Sequence, residues 1–103
     1  MSRADVIALI DAYLVGDERD RASVFAKIGA WTCDVEEAAP IVRAIALIGP
    51  RAADESLIAL RLVVDGKAAT DERIGELRGI VKKAMAGDAE ARSTYQNRIA
   101  QPA

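Results

Sequence analysis

Apolar residues return along this chain every three or four positions, and no segment alternates apolar and polar residues with β-branched enrichment over four or more positions. Spacings of three and four put side chains on one face of an α-helix, whereas a half-buried strand needs a period of two. The pattern predicts an all-α fold, a compact bundle of five to six short helices arranged in antiparallel hairpins. Start and stop signals agree with it. Ser2 is followed three residues on by Asp5, a capping-box pair, and Val6, Ile10, Tyr13 and Leu14 then share a face as far as Gly16. Asp17 is placed to cap a second helix with the stripe Val24, Phe25, Ile28 and Trp31. Pro40 would clash inside a helix that began at Asp34, so a turn over 34–38 and a helix from near Pro40 are favoured over one kinked helix. Gly49-Pro50 stops that helix. A fourth is expected over 53–64, ending at Asp65-Gly66. Thr70 caps a fifth, with Asp71 and Glu72 in its first turn and Lys82 and Lys83 near its last, the order the helix dipole favours. A weaker sixth carries Ala91, Tyr95 and Ile99. Residues 1–100 are expected to make a single helical domain, with 101–103 as a frayed tail.

Of the 103 residues, 51% are hydrophobic, but 21 of these are Ala, which leaves 32 larger apolar side chains for one core. Four aromatics in the whole chain point to closely approaching helices rather than a core built around rings. There is no His and a single Cys, which removes zinc fingers, iron–sulfur centres, His-based triads and Cys-His dyads. No metal, cofactor or disulfide is expected. Fourteen basic and sixteen acidic residues give a net charge of −2, without the chain-wide positive field of a nucleic-acid or anionic-lipid binder. The most apolar stretch, Ala38 to Gly49, contains Arg43 and is too short to cross a bilayer that needs about twenty residues. A lone cysteine suits a reducing compartment, and the expectation is a cytoplasmic protein.

The stretch from Val42 to Leu60 resembles one HEAT-type helix pair over 19 of the 103 residues, without the Asp usual before the Pro. The resemblance implies a helical hairpin at that place. Gly66-Lys67-Ala68-Ala69-Thr70 has a phosphate-loop flavour but fails the Walker A pattern, because Arg61 stands where its first Gly belongs and Ala follows the Lys.

Residue by residue, most candidate sites have ordinary explanations. Cys33 is expected as a small buried hydrophobe, since no His is present to activate it. Asp34, Glu36 and Glu37, like Asp17, Glu18 and Asp20, are what a helix N-terminus prefers and lack calcium-loop spacing. Gly75 and Gly79, four apart in the fifth helix, suggest a groove where another helix, in this chain or in a partner, packs at short range. Arg78, Lys82 and Lys83, with Arg92 and Arg98 beyond, make the end of the chain its most basic region, a possible nucleic-acid contact. The fourth helix carries apolar residues on two faces: Leu57, Leu60 and Val64 on one, Ile58 and Leu62 on the other. The second face needs a cover, from its own chain or from a second subunit. These features predict a non-catalytic protein-interaction module, an adaptor or regulator, whose apolar helical surface includes Ile58, Leu62, Gly75 and Gly79. Its expected partner is another protein or itself as a homodimer, with no membrane and no nucleic acid. The alternative is a DNA-binding regulator using the basic helix 71–86.

Overall fold

The structure, a computed structural model, describes residues 2–16, 21–32, 34–48 and 54–101. Among the described residues it contains six helices and no strand: α1 (Arg3–Val15), α2 (Arg21–Gly29), α3 (Ala39–Ile48), α4 (Asp54–Val64), α5 (Asp71–Met85) and α6 (Ala89–Ala100). The Cα radius of gyration is 12.5 Å, near the ~13 Å of a compact chain of about 100 residues. The proposed cap at Asp17, its neighbours Glu18 and Asp20, Cys33 and the Gly49-Pro50 stop lie outside the described residues.

The helix ends show why the sequence punctuates where it does. Ser2 Oγ accepts from the Asp5 N–H at 3.2 Å, and Asp5 Oδ2 accepts from the Ser2 N–H at 3.0 Å, a complete capping box. Hydrogen bonding from Ser2, through its backbone N–H first and then its hydroxyl, holds the Asp5 carboxyl below its ordinary value. Thr70 caps α5 by accepting from the Arg73 N–H, and Asp88 caps α6 by accepting from the Glu90 N–H. Gly66 and Gly87 end α4 and α5 with φ of 75° and 99°, left-handed values that glycine adopts without steric cost. Each sits in a Schellman turn: the Lys67 N–H donates to the Leu62 carbonyl and the Asp88 N–H to the Lys83 carbonyl. Pro40 falls in the first turn of α3, where its missing N–H costs nothing, and a turn over 36–38 precedes it.

All six helices contribute to one hydrophobic cluster, with Ile10, Leu14, Ile28, Ile45, Leu57, Leu77, Val81 and Tyr95 deepest in it. At its centre, α4 packs against α1, α3 and α5. Both of its apolar faces are therefore covered by the chain itself, and Ile58 and Leu62 are each 0% exposed. The expectation that Ile58 and Leu62 form an interaction surface is corrected here: they are core residues of the single chain. By contrast α3, with Arg43 as the one charged residue of its ten, packs on α2 and α4 alone among the pairings of any extent. The most apolar helix lies at the edge of the bundle.

Candidate interaction surface

The edge position of α3 divides its side chains. Val42 and Ile45 enter the core, while Pro40, Arg43, Ala44 and Leu47, spaced at i, i+3, i+4 and i+7, face water on one stripe. Leu47 is 87% exposed, far more than Met85 at 38%, the other large apolar side chain in the open among the described residues. A single exposed leucine is ordinary on a protein surface. Here it has apolar neighbours. Next to it, Phe25, Ala26, Gly29, Ala30 and Ala46 line an open cleft of about 390 Å³ between α2 and α3. The cleft exists because its walls are small. A Cβ on Gly29 would lie 3.5 Å from the Ala46 Cα, so the two helices approach closely at that point, and Phe25 closes the floor. Ala26, Ala30, Ala44 and Ala46 are all exposed around it. Arg43, the charge on this stripe, makes no ion pair with any described residue, and neither do Glu36 and Glu37 in the turn that leads into α3.

The other expected site residues fall elsewhere and do not come together. Gly75 and Gly79 are exposed on α5, and a Cβ on either would meet nothing within 4 Å. Among the described residues no helix packs on them at short range, which corrects the in-chain half of the expectation, and Gly75 instead lines an open cleft with Glu55, Ser56, Ala59, Asp71 and Ile74. Arg78 is held 2.5 Å from Glu55 and Arg98 2.7 Å from Glu76, so carboxylates interrupt the basic region. Lys82 and Lys83 are exposed in the last turn of α5.

One polar cluster was not anticipated. Asp11 Oδ1 accepts from Tyr95 Oη at 2.7 Å and from Arg61 Nε at 3.1 Å, joining α6 and α4 to α1. Arg61 is 7% exposed, and its Nη1 makes an ion pair with Asp65 at 3.5 Å but no hydrogen bond. Asp65 also faces Lys67 at 3.0 Å, and Lys67 donates to the carbonyl of Ile99. Hydrogen bonding from Lys67 leads the effects that keep the Asp65 carboxyl below its ordinary value. Burial, then the Asp11 carboxylate, push the Tyr95 phenol upward. Two sequence signals pointed at this cluster: Arg61 is the only charge in 57–64, and Tyr95 lies on the apolar stripe of α6. Each polar group is engaged by another of the same chain, an arrangement that ties helices together rather than offering a reactive atom.

A second cleft, about 460 Å³, runs between the start of α1 and the α4–α5 connection, lined by Arg3, Val35, Glu37, Val63, Lys67 and Ala69 among others. Its two cations are already engaged, Arg3 with Asp34 at 3.5 Å and Lys67 with Asp65. Among the described residues no group of three or more His, Cys, Asp or Glu is arranged to hold a metal ion, and no helix is long and apolar enough to cross a membrane. Comparison with protein families, curated proteins and solved structures finds no match to this chain.

Proposed function

We propose that this chain is a small non-catalytic protein-interaction module, an adaptor or regulator of the cytoplasm, that works by presenting the outer face of α2 and α3 to another protein chain. The observation that carries the reading is Leu47, 87% exposed on the most apolar helix and bordered by an open apolar cleft. Contiguous apolar surface in water marks an interaction site more often than scattered single residues do. The reading keeps the function class that the sequence suggests and moves the surface from Ile58 and Leu62 to Leu47, Ala46 and the cleft. Of the basic residues weighed for nucleic acid, Arg78 and Arg98 are held by Glu55 and Glu76 while Lys82 and Lys83 stay exposed, a local charge that carries less support than the apolar face.

A photo-crosslinking residue placed at position 46, with position 96 on exposed α6 as control, tests it in host lysate. Protein adducts formed from position 46, absent from position 96 and lost on adding Leu47→Asp to the position-46 protein, are the expected result. Equal labelling from both positions, or none from either, refutes the reading.

A further inference from the structure

The first and sixth helices are held in different ways. Helix α1 packs on α2, α4 and α5 and buries Val6, Ile10, Tyr13, Leu14 and Val15. Helix α6 lies along α5 alone among the pairings of any extent, and of its 12 residues only Ala91, Tyr95 and Ile99 are buried. By itself it is a marginal helix. Isolated helices shorter than ~12–15 residues are barely stable even when rich in alanine, and Ser93, Thr94, Tyr95 and Asn97 in its middle are weaker helix formers than alanine. Other elements complete its last turn. Gln101, not glycine, follows it, and Arg73 Nη2 of α5 donates to the carbonyls of Arg98 at 3.2 Å and Gln101 at 2.7 Å. Lys67, from the α4–α5 connection, donates to that of Ile99. These carbonyls are among the ones a helix cannot satisfy internally, so α6 is complete only where it is docked.

We infer that α6 is a releasable arm: it undocks and unfolds as one unit within the folded protein, while α1–α5 keep the pairings they make without it. Those pairings are independent of α6, since α4 is held by α1, α3 and α5, and α2 by α1 and α3. The arm turns on Ala86-Gly87-Asp88, where Gly87 stands at φ 99° and can take either sign of φ as the arm moves. Undocking returns the backbone and side-chain freedom of the whole segment, which offsets the loss of three buried side chains and a few polar contacts. Arg73, Glu76, Ile80 and Lys83, spaced by three and four, mark the side of α5 that the arm covers. Release opens that side, with Leu77 next to it, and takes Tyr95 away from Asp11. Access to this side of α5 is thereby set by an order–disorder step of α6.

Native-state hydrogen exchange of the whole chain, read amide by amide by NMR in rising sub-denaturing urea, tests it. The amides of 93–100 should share one opening equilibrium, at least ~10-fold more populated than global unfolding. Its urea dependence should be real but shallower than that of the α4 amides, because less surface is exposed. Ile28→Val separates the two processes. Ile28 is buried on α2, which packs on α1 and α3, so the change should speed exchange of the α4 amides by about 3–10-fold and leave 93–100 as they were. Arg73→Ala, which removes the grip on the last turn, should speed 93–100 several-fold. The inference is overturned by any of four results: exchange of 93–100 only with global unfolding, an equal response of both sets to Ile28→Val, amide-by-amide exchange indifferent to urea, or no effect of Arg73→Ala on 93–100.

Discussion

Replacing Gly75 and Gly79 together by alanine should stabilise the fold by about 2 kcal/mol. Each glycine in a helix interior costs roughly 1 kcal/mol relative to alanine, through backbone freedom that the unfolded chain retains and the helix removes. Whether that gain is realised depends on the space at the site and on φ. Neither glycine has a positive φ, which among the described residues only Gly66 and Gly87 adopt, and an added Cβ at either position meets no atom within 4 Å. Nothing in the folded chain opposes the methyl groups. Each substitution should therefore contribute about half of the total, and the two should add, because neither methyl contacts a group the other perturbs. For a domain of this size about 2 kcal/mol corresponds to a rise in Tm of roughly 8–16 °C. Urea titration followed by circular dichroism is the direct assay. The midpoint should move upward while the slope of free energy against urea stays constant, because the surface exposed on unfolding is unchanged. A loss of stability would refute the reasoning, since it would mean that α5 packs on something at these positions in the free protein.

The polar cluster at α1, α4 and α6 yields graded costs. Tyr95→Phe, which deletes one hydrogen bond to a charged acceptor, should cost about 1.5–3 kcal/mol. Asp11→Ala, which also leaves the Arg61 guanidinium buried without its main partner, should cost more, about 3–5 kcal/mol, and urea midpoints of the two variants would expose a reversed order. For Asp65 the sign follows from a carboxyl that is more acidic in the folded chain than its ordinary 3.8: its stabilisation is present above that value and is lost as pH falls through the lower folded value. Stability should therefore decline below about pH 4, and Asp65→Asn should make the decline shallower in urea titrations from pH 7 to pH 2, with an unchanged slope counting against the Lys67 contact as its cause.

Much of the helical skeleton is legible in the residues. Ser2 with Asp5, Thr70, Gly66 and Pro40 each fix a helix end by local hydrogen bonding or backbone geometry, which needs no knowledge of the rest of the chain. The sixth helix, weak by periodicity, forms because Ala91, Tyr95 and Ile99 are buried by its neighbours. What local reasoning cannot decide is which of two apolar helices is central. The segments Ile45-Ala46-Leu47-Ile48 and Leu57-Ile58-Ala59-Leu60 are apolar at every position, so a helical wheel does not select a wet side for either. Packing places α4 between α1, α3 and α5 and leaves Leu47 of α3 outside. The same limit explains Gly75 and Gly79: two small residues four apart mark a groove only if something lies over them, and that depends on the path of distant helices. Asp11, Arg61 and Tyr95 are distant in sequence, so no window of the chain shows that they meet.

The carboxylate of Asp11 and the phenol of Tyr95 are separated by 84 positions, and this sets the order in which the chain can mature as it is made. Synthesis delivers α1 first and α6 after the other five helices. Until α6 emerges, the Asp11–Arg61 pair lacks its third member, the side of α5 that α6 covers is open to water, and Lys67 and Arg73 have not yet met the carbonyls at the end of α6. Contacts so far apart in sequence form slowly, because closing a long loop costs entropy before any contact repays it. An emerging chain halted short of Tyr95 would thus hold its short helices only as far as partial packing supports them, and would present apolar surface to chaperones and proteases until α6 docks.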